Sequence, residues 1–139
     1  MRVLAVDLGT KNIGTAISDE LGISVRPVET VRRSGLRQDI ARLKFLVEDL
    51  GAQAVVVGLP LRMDGTVGEA AERALKFTDK LRAEIGVVVY TEDERLTSYE
   101  ADQIMLGQGL NRKQRKARSD EMAATIILRD FLSRIRDHN

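Results

Sequence analysis

The chain contains no cysteine, one histidine, two prolines and only 4% aromatic residues. Without cysteine, disulfides and thiolate metal sites are excluded, which fits a reducing compartment. The single histidine, His138, stands one residue from the end, so no nucleophile–base arrangement built on imidazole is available. The scarcity of aromatics means that the core must be assembled from Val, Leu, Ile and Ala. No apolar run reaches membrane-spanning length. The opening residues, Met1 to Asp7, meet an acid too early for a secretory signal. A cytoplasmic location without a membrane partner is therefore expected. A large charge of one sign is also missing. The 22 basic and 21 acidic residues leave a net charge of +1, which by itself marks no polyanion binder.

What is present suits one domain spanning residues 1–139, 43% hydrophobic and 31% charged. Charge is unevenly placed. From Arg112 to Arg118 five of seven residues are basic (Arg112, Lys113, Arg115, Lys116 and Arg118) and none is acidic, whereas Glu92, Asp93 and Glu94 are consecutive acids. Cations that meet a phosphate backbone beside carboxylates that hold metal are what a nuclease requires. Two solvated loops would carry the same residues.

The periodicities predict an α/β fold. Arg2 to Asp7 is a short apolar run ending in a carboxylate; a turn with Gly9, Lys11, Asn12 and Gly14 follows. Further β-like runs over Ile13–Ser18 and Val25–Val31 complete a three-stranded meander. Leu36, Ile40, Leu43, Val47 and Leu50 recur at helical spacing, and Gly51 closes that helix. Ala54 to Leu59 reads as a strand covered on both faces. Thr66 and Glu69 form the pattern of a capping box ahead of Ala70, Ala74, Thr78, Leu81 and Ile85. Val87 to Tyr90 reads as another buried strand, and Thr97 with Glu100 as a second capping box opening a helix to about Leu106. Gly107 to Arg118 is expected to be a basic loop, with Ser119 capping a last helix to about Arg136. Strand–helix–strand steps imply right-handed crossovers. The expected sheet is thus mixed and five-stranded, antiparallel through strands 1–3 and parallel through strands 1, 4 and 5, flanked by helices.

Parallel strands 1, 4 and 5 end on one edge, where ligands of open α/β sheets gather. Asp7 ends the first strand there. Asp120 lies four residues before Ala124, on the stripe that continues through Ile127, Phe131 and Ile135. A carboxylate on a packing face is costly unless a cation compensates. Glu92, Asp93 and Glu94 follow the last strand, and alternation lets only one or two of them aim at Asp7. Turn-making, helix-starting and solvated roles are the bland alternatives for these acids. Oxygen donors on three elements select a hard ion, Mg²⁺ or Mn²⁺, and two such ions can drive phosphodiester hydrolysis.

Four ordered motifs resemble the YqgF/RuvX family: Asp7-Leu8-Gly9-Thr10-Lys11-Asn12-Ile13-Gly14, the segment Val57 to Thr66, the segment Asp93 to Ala101, and Asp120 followed by Ala123-Ala124. The resemblance covers nearly the whole chain. It implies an RNase H-like fold and a metal-dependent endonuclease acting on structured nucleic acid. The substrate it implies is the 5′ end of pre-16S rRNA in ribosome biogenesis or, alternatively, a Holliday junction in DNA repair. By the same resemblance Asp7, Asp120 and one of Asp93 and Glu94 are the catalytic, metal-holding acids. RuvC-type enzymes keep the middle acid on the fourth strand, which here ends in Gly58-Leu59-Pro60. Glu94 is the expected substitute, because its longer arm spans the extra strand spacing of about 4.8 Å. Lys11, Arg62, Arg95 and the five cations from Arg112 to Arg118 are the expected nucleic-acid contacts, in a monomer or weak homodimer. Two other readings compete. Asp7-Leu8-Gly9-Thr10 also looks like a phosphate loop of sugar kinases, although those close two such domains on a nucleotide. The same fold would also serve a non-catalytic RNA-binding module.

Overall fold

A computed structural model of the protein describes residues 1–94, 107, 109 and 112–137, and of 112–121 the backbone alone. Its elements are β1 (Val3–Leu8), β2 (Asn12–Ser18), β3 (Val25–Arg32), α1 (Leu36–Leu50), β4 (Ala54–Leu59), α2 (Glu69–Glu84), β5 (Val88–Asp93) and α3 (Arg112–Asp137). The sheet runs in the order β3-β2-β1-β4-β5. β1, β2 and β3 pair antiparallel, whereas β4 pairs parallel to both β1 and β5. That is the sheet expected from the sequence.

Period-two alternation divides the sheet's side chains between two cores. Leu4 and Val6 of β1 and Val55 and Val57 of β4 face Leu43 and Val47 of α1 and Phe77 and Leu81 of α2. Val3, Ala5, Ala54 and Val56 point the other way and meet Ala124, Ile127, Leu128 and Phe131 of α3. Each fully buried Leu or Ile contributes about 1.5–3 kcal/mol relative to exposure. The small residues on this second face, Ala5, Ala54 and Ala124, let α3 lie close to the sheet. Gly51, in the left-handed region at φ 68°, ends α1 as expected. Among the described residues no helix is long and apolar enough to cross a membrane.

Four expectations need correction. No capping box starts α2: Gly68 holds the N-cap position without a side-chain cap. Thr66 is occupied elsewhere, its amide and hydroxyl both donating to Asp64 Oδ1 at 2.9 and 2.6 Å, an Asx turn that competes with helix. The expected stripe differs at its start alone: Ala70 is exposed and Ala71 buried, whereas Ala74, Thr78, Leu81 and Ile85 are buried as expected. β5 is not covered on both faces. It forms the sheet's edge, leaving Val88 and Tyr90 57% and 40% exposed, and it runs on to Asp93, so Glu92 and Asp93 belong to the strand. Finally, α3 starts at Arg112 rather than at Ser119. Lys, Arg, Gln and Ala are all good helix formers, and no Gly or Pro interrupts them. The basic strip is therefore the first two turns of a helix. Thr97, Glu100 and the helix expected to reach Leu106 lie outside the described residues.

Candidate active site

Asp7 stands next to last in β1, paired across to Gly14 of β2. It continues the alternation of Val3 and Ala5, so its carboxylate emerges on the α3 face. The chain reverses directly behind it. The Gly9 amide donates to the Asn12 carbonyl at 2.9 Å, and the Arg33 Nη1 donates to the Gly9 carbonyl at 2.9 Å. Arg33 is itself oriented by Asp39 of α1, a buried carboxylate 3.6 Å from its Nε. The Arg33 amide also donates to the Lys11 carbonyl at 2.9 Å. Arg33 thus fixes the turn that aims Asp7. Reading the sequence did not single it out, since an Arg after a strand carries no signature of what it binds.

Glu94 reaches the same face from two strands away. Its amide donates to the Leu59 carbonyl at 3.1 Å, extending the β4–β5 ladder one residue beyond β5. The side chain then passes over β4 at Gly58, where a β-carbon would stand 2.6 Å from Glu94 Oε2 and 2.5 Å from Ile127 Cδ1. Real contacts to a β-carbon are not that short, so the missing side chain of Gly58 is the space the carboxyl group occupies. This is the one position in β4 where a glycine is required by close approach.

The Glu94 and Asp7 carboxyl groups hydrogen-bond to each other. Two carboxylates make such a bond only around a shared proton. Burial, then the Asp7 charge, the hydrogen bond with Asp7 and the Asp93 charge push the Glu94 pKa up to about 9. At neutral pH Glu94 therefore keeps its proton.

The other acids divide as strand alternation requires. Glu92 forms an ion pair with Arg134 of α3, whose guanidinium also lies 5.7 Å from the centre of the Phe131 ring. Asp93 is exposed and ends β5, opposite Leu59. Asp120 lies within α3, eight residues after Arg112 and one turn before the buried Ala124. That is the third turn of the helix and not its start, so the helix N-terminus lends its charge no support. Among the described residues no three Asp, Glu, His or Cys side chains gather into a metal cage. The described acidic core is the Asp7–Glu94 pair, and the Asp120 side chain lies outside the described residues.

The expected nucleic-acid contacts are spread around this edge. Lys11 is exposed in the β1–β2 turn, and Arg62 in the β4–α2 loop, its side chain lying against Gly68. Arg112, Lys113, Arg115, Lys116 and Arg118 occupy the first two turns of α3 by their backbone. Arg95 lies outside the described residues.

A mixed five-stranded sheet with an acidic pair at the shared carboxyl edge is the RNase H-like fold. Two solved structures match it over nearly their whole length. One is Thermus thermophilus RuvC in complex with a Holliday junction substrate (TM-score 0.59, 18% identity, 97% of this chain and 96% of that one). The other is the fowlpox virus resolvase with Holliday junction DNA (TM-score 0.56, 10% identity, 97% and 99% covered).

The chain belongs to the RuvX family, described as Holliday junction resolvases, whose model matches residues 1–134. Among its relatives, a protein of Moorella thermoacetica is 43% identical over 135 residues, spanning 97% of this chain and 96% of its own. One of Geobacillus kaustophilus is 40% identical over 134 residues, spanning 95% and 97%. Both carry the name "Putative pre-16S rRNA nuclease". Membership of this family sets the sugar-kinase reading aside.

Proposed function

We propose that this chain is a metal-dependent endonuclease that hydrolyses phosphodiester bonds in structured nucleic acid, and that its substrate is the 5′ end of pre-16S rRNA. The observation that carries the reading is the pairing of Asp7 with Glu94 across three strands. Two carboxyl groups forced into one half-buried site destabilise the fold at neutral pH unless a proton or a cation joins them. A binding module gains nothing from such a pair, which argues against the non-catalytic alternative.

The donor set fits a hard divalent ion, Mg²⁺ or Mn²⁺, because it is all oxygen and carries negative charge. Asp7 and Glu94 would hold it together with Asp120, which α3 carries over the same face of the sheet. Two such ions supply what carboxylates alone lack, a nucleophile at neutral pH and a stabiliser for the leaving oxygen. Arg33 keeps the Asp7 turn rigid, and Gly58 leaves room for Glu94. Ile127, beside Glu94 over Gly58, is the apolar wall that limits water behind the pair. Lys11, Arg62, Arg95 and the cations of the first two turns of α3 meet phosphates on either side of the scissile bond.

The names of the relatives favour the ribosomal substrate. The family description and the shape shared with RuvC favour a four-way DNA junction as a second reading. We place the protein in the cytoplasm, one domain acting as a monomer or weak homodimer. Purified protein should cut one of the two substrates, a ribosomal precursor or a DNA junction, with Mg²⁺ or Mn²⁺ and not with chelator. Cleavage undiminished by chelator, or retained by Asp7→Asn, overturns the assignment.

A further inference from the structure

On the side of the sheet away from Asp7 and Glu94, an open groove of about 690 Å³ lies between the start of α1 at Leu36 and the length of α2. Its rim carries Arg33, Arg73, Lys76 and Lys80, and its floor is Phe77 and the 45% exposed Leu36. Arg73, Lys76 and Lys80 are spaced by three and four residues, so they form one stripe along α2. The stripe is about 10 Å long at 1.5 Å per residue. Among the described residues none of these three has an ion-pair partner, and the one acid lining the groove, Asp79, pairs with Arg82 at 3.5 Å. Like charges one turn apart on a helix cost a few tenths of a kcal/mol per pair. Glu69, Glu72 and Glu84 stand one turn from these cations on α2 but close no ion pair with them among the described residues, so the row is open to a polyanion, whose phosphates recur every 3.4 Å or so along the axis of a duplex strand.

The groove is continuous with the catalytic edge. Arg33 lines it and also donates to the Gly9 carbonyl, two residues beyond Asp7. We infer that the α1–α2 groove holds the phosphate backbone of the nucleic acid flanking the cleaved bond, with sugar or base edges resting on Leu36. On this inference, which rests on the nuclease reading above, the strand crosses the sheet's carboxyl edge over the Gly9 turn. The substrate is then gripped on both faces of the sheet, by α3 on one and by α2 on the other.

The test is a triple variant, Arg73→Gln, Lys76→Gln and Lys80→Gln, measured by fluorescence anisotropy against a labelled RNA hairpin with a single-stranded extension. Binding is followed in chelator over a range of salt. Three lost contacts should flatten the log–log salt slope by about two units, at roughly 0.7 per single-strand phosphate. Affinity should fall at low salt, with melting temperature and kcat at saturating substrate unchanged. Arg26→Gln, at the opposite end of the sheet, controls for the loss of charge alone and should move the slope by less than half a unit. A triple variant with the parental slope overturns the inference and leaves the stripe to an acidic protein surface. Because binding is read without cleavage, a parent that binds but never cuts would refute the nuclease reading and not the groove. A parent that cuts, beside a triple variant with unchanged slope and KM, refutes the groove alone.

Discussion

Gly58→Ala isolates the contact on which the acidic pair depends. The added methyl group would lie 2.5 Å from Ile127 Cδ1 and 2.6 Å from Glu94 Oε2, about 1 Å inside ordinary van der Waals contact. Overpacking of that kind costs about 1–3 kcal/mol, which in a domain of this size lowers Tm by roughly 3–10 °C. The chemical cost is larger, because a displacement of about 1 Å in a reacting group lowers the rate by up to 10²-fold. The two clashes can be separated. Ile127→Val removes Cδ1, the atom in contact, at a cost of about 0.5–1.5 kcal/mol by itself. In the double variant Gly58→Ala/Ile127→Val the steric conflict with α3 is gone and that with Glu94 remains. Thermal melting should therefore show favourable coupling between the two substitutions, while single-turnover cleavage stays as low as in Gly58→Ala. A Gly58→Ala protein that cuts at the parental rate would show that Glu94 is not held over β4, and the pair as the reacting centre would fall with it.

Two further outcomes follow from the shared proton. The Glu94 pKa is raised to about 9 from an ordinary 4.5, so the folded state binds a proton that the unfolded state releases between these values. That stabilisation is complete below pH 4.5 and is lost as pH rises through 9, so the metal-free parent should melt progressively lower from pH 6 to pH 9. Glu94→Gln should flatten this trend, and a trend unchanged in that variant would remove Glu94 as its source. Asp7→Asn keeps the shape of the side chain and removes the charge that repels ionised Glu94, so without metal and at pH 9 or above it should melt no lower than the parent. Its cleavage should nevertheless be lost, together with any rise in Tm caused by Mn²⁺; a variant melting well below the parent and still cutting would make Asp7 a turn residue only.

The sheet was legible because its strands differ in kind. β1 as far as Asp7 and all of β4 are unbroken apolar runs, and the meander is punctuated by the Gly9–Asn12 turn. The elements misread were those whose residues carry two meanings. Arg112 to Arg118 looks like a solvated loop by charge, yet by propensity it is a good helix. Val87 to Tyr90 is as apolar as a central strand, and only tertiary position makes it an edge. For the candidate site, strand ends pointed to Asp7, and arm length favoured Glu94, the acid that meets Asp7, over Asp93. Gly58 was visible only as the place where an acid was missing; nothing in a single glycine tells that another strand's carboxyl group fills its space. Arg33 was invisible for a similar reason, since its partners Gly9 and Asp39 are joined to it by the fold and not by spacing.

The reach of Glu94 suggests that the acid and the glycine are exchangeable. A β-carbon on Gly58 would lie 2.8 Å from Glu94 Cδ, so a carboxyl group one bond beyond that β-carbon falls close to where the Glu94 carboxyl group now sits. Gly58→Asp alone should be inactive, because two carboxyl groups and Ile127 would compete for one space. Glu94→Ala alone should be inactive for want of the acid. Combined, the two substitutions move the acid from β5 to β4 and empty the space it needs. The combination should therefore cut faster than either single variant, by at least tenfold, with Ile127→Val added to relieve Cδ1. Each free carboxyl group contributes one charge, so the double variant should also bind Mn²⁺ more tightly than Glu94→Ala. Single-turnover cleavage and Mn²⁺ titration on the same four proteins decide the matter. If Gly58→Asp/Glu94→Ala with Ile127→Val is no faster than Glu94→Ala, then the site depends on the route by which Glu94 arrives, through its ladder bond to Leu59, and not only on where its carboxyl group ends.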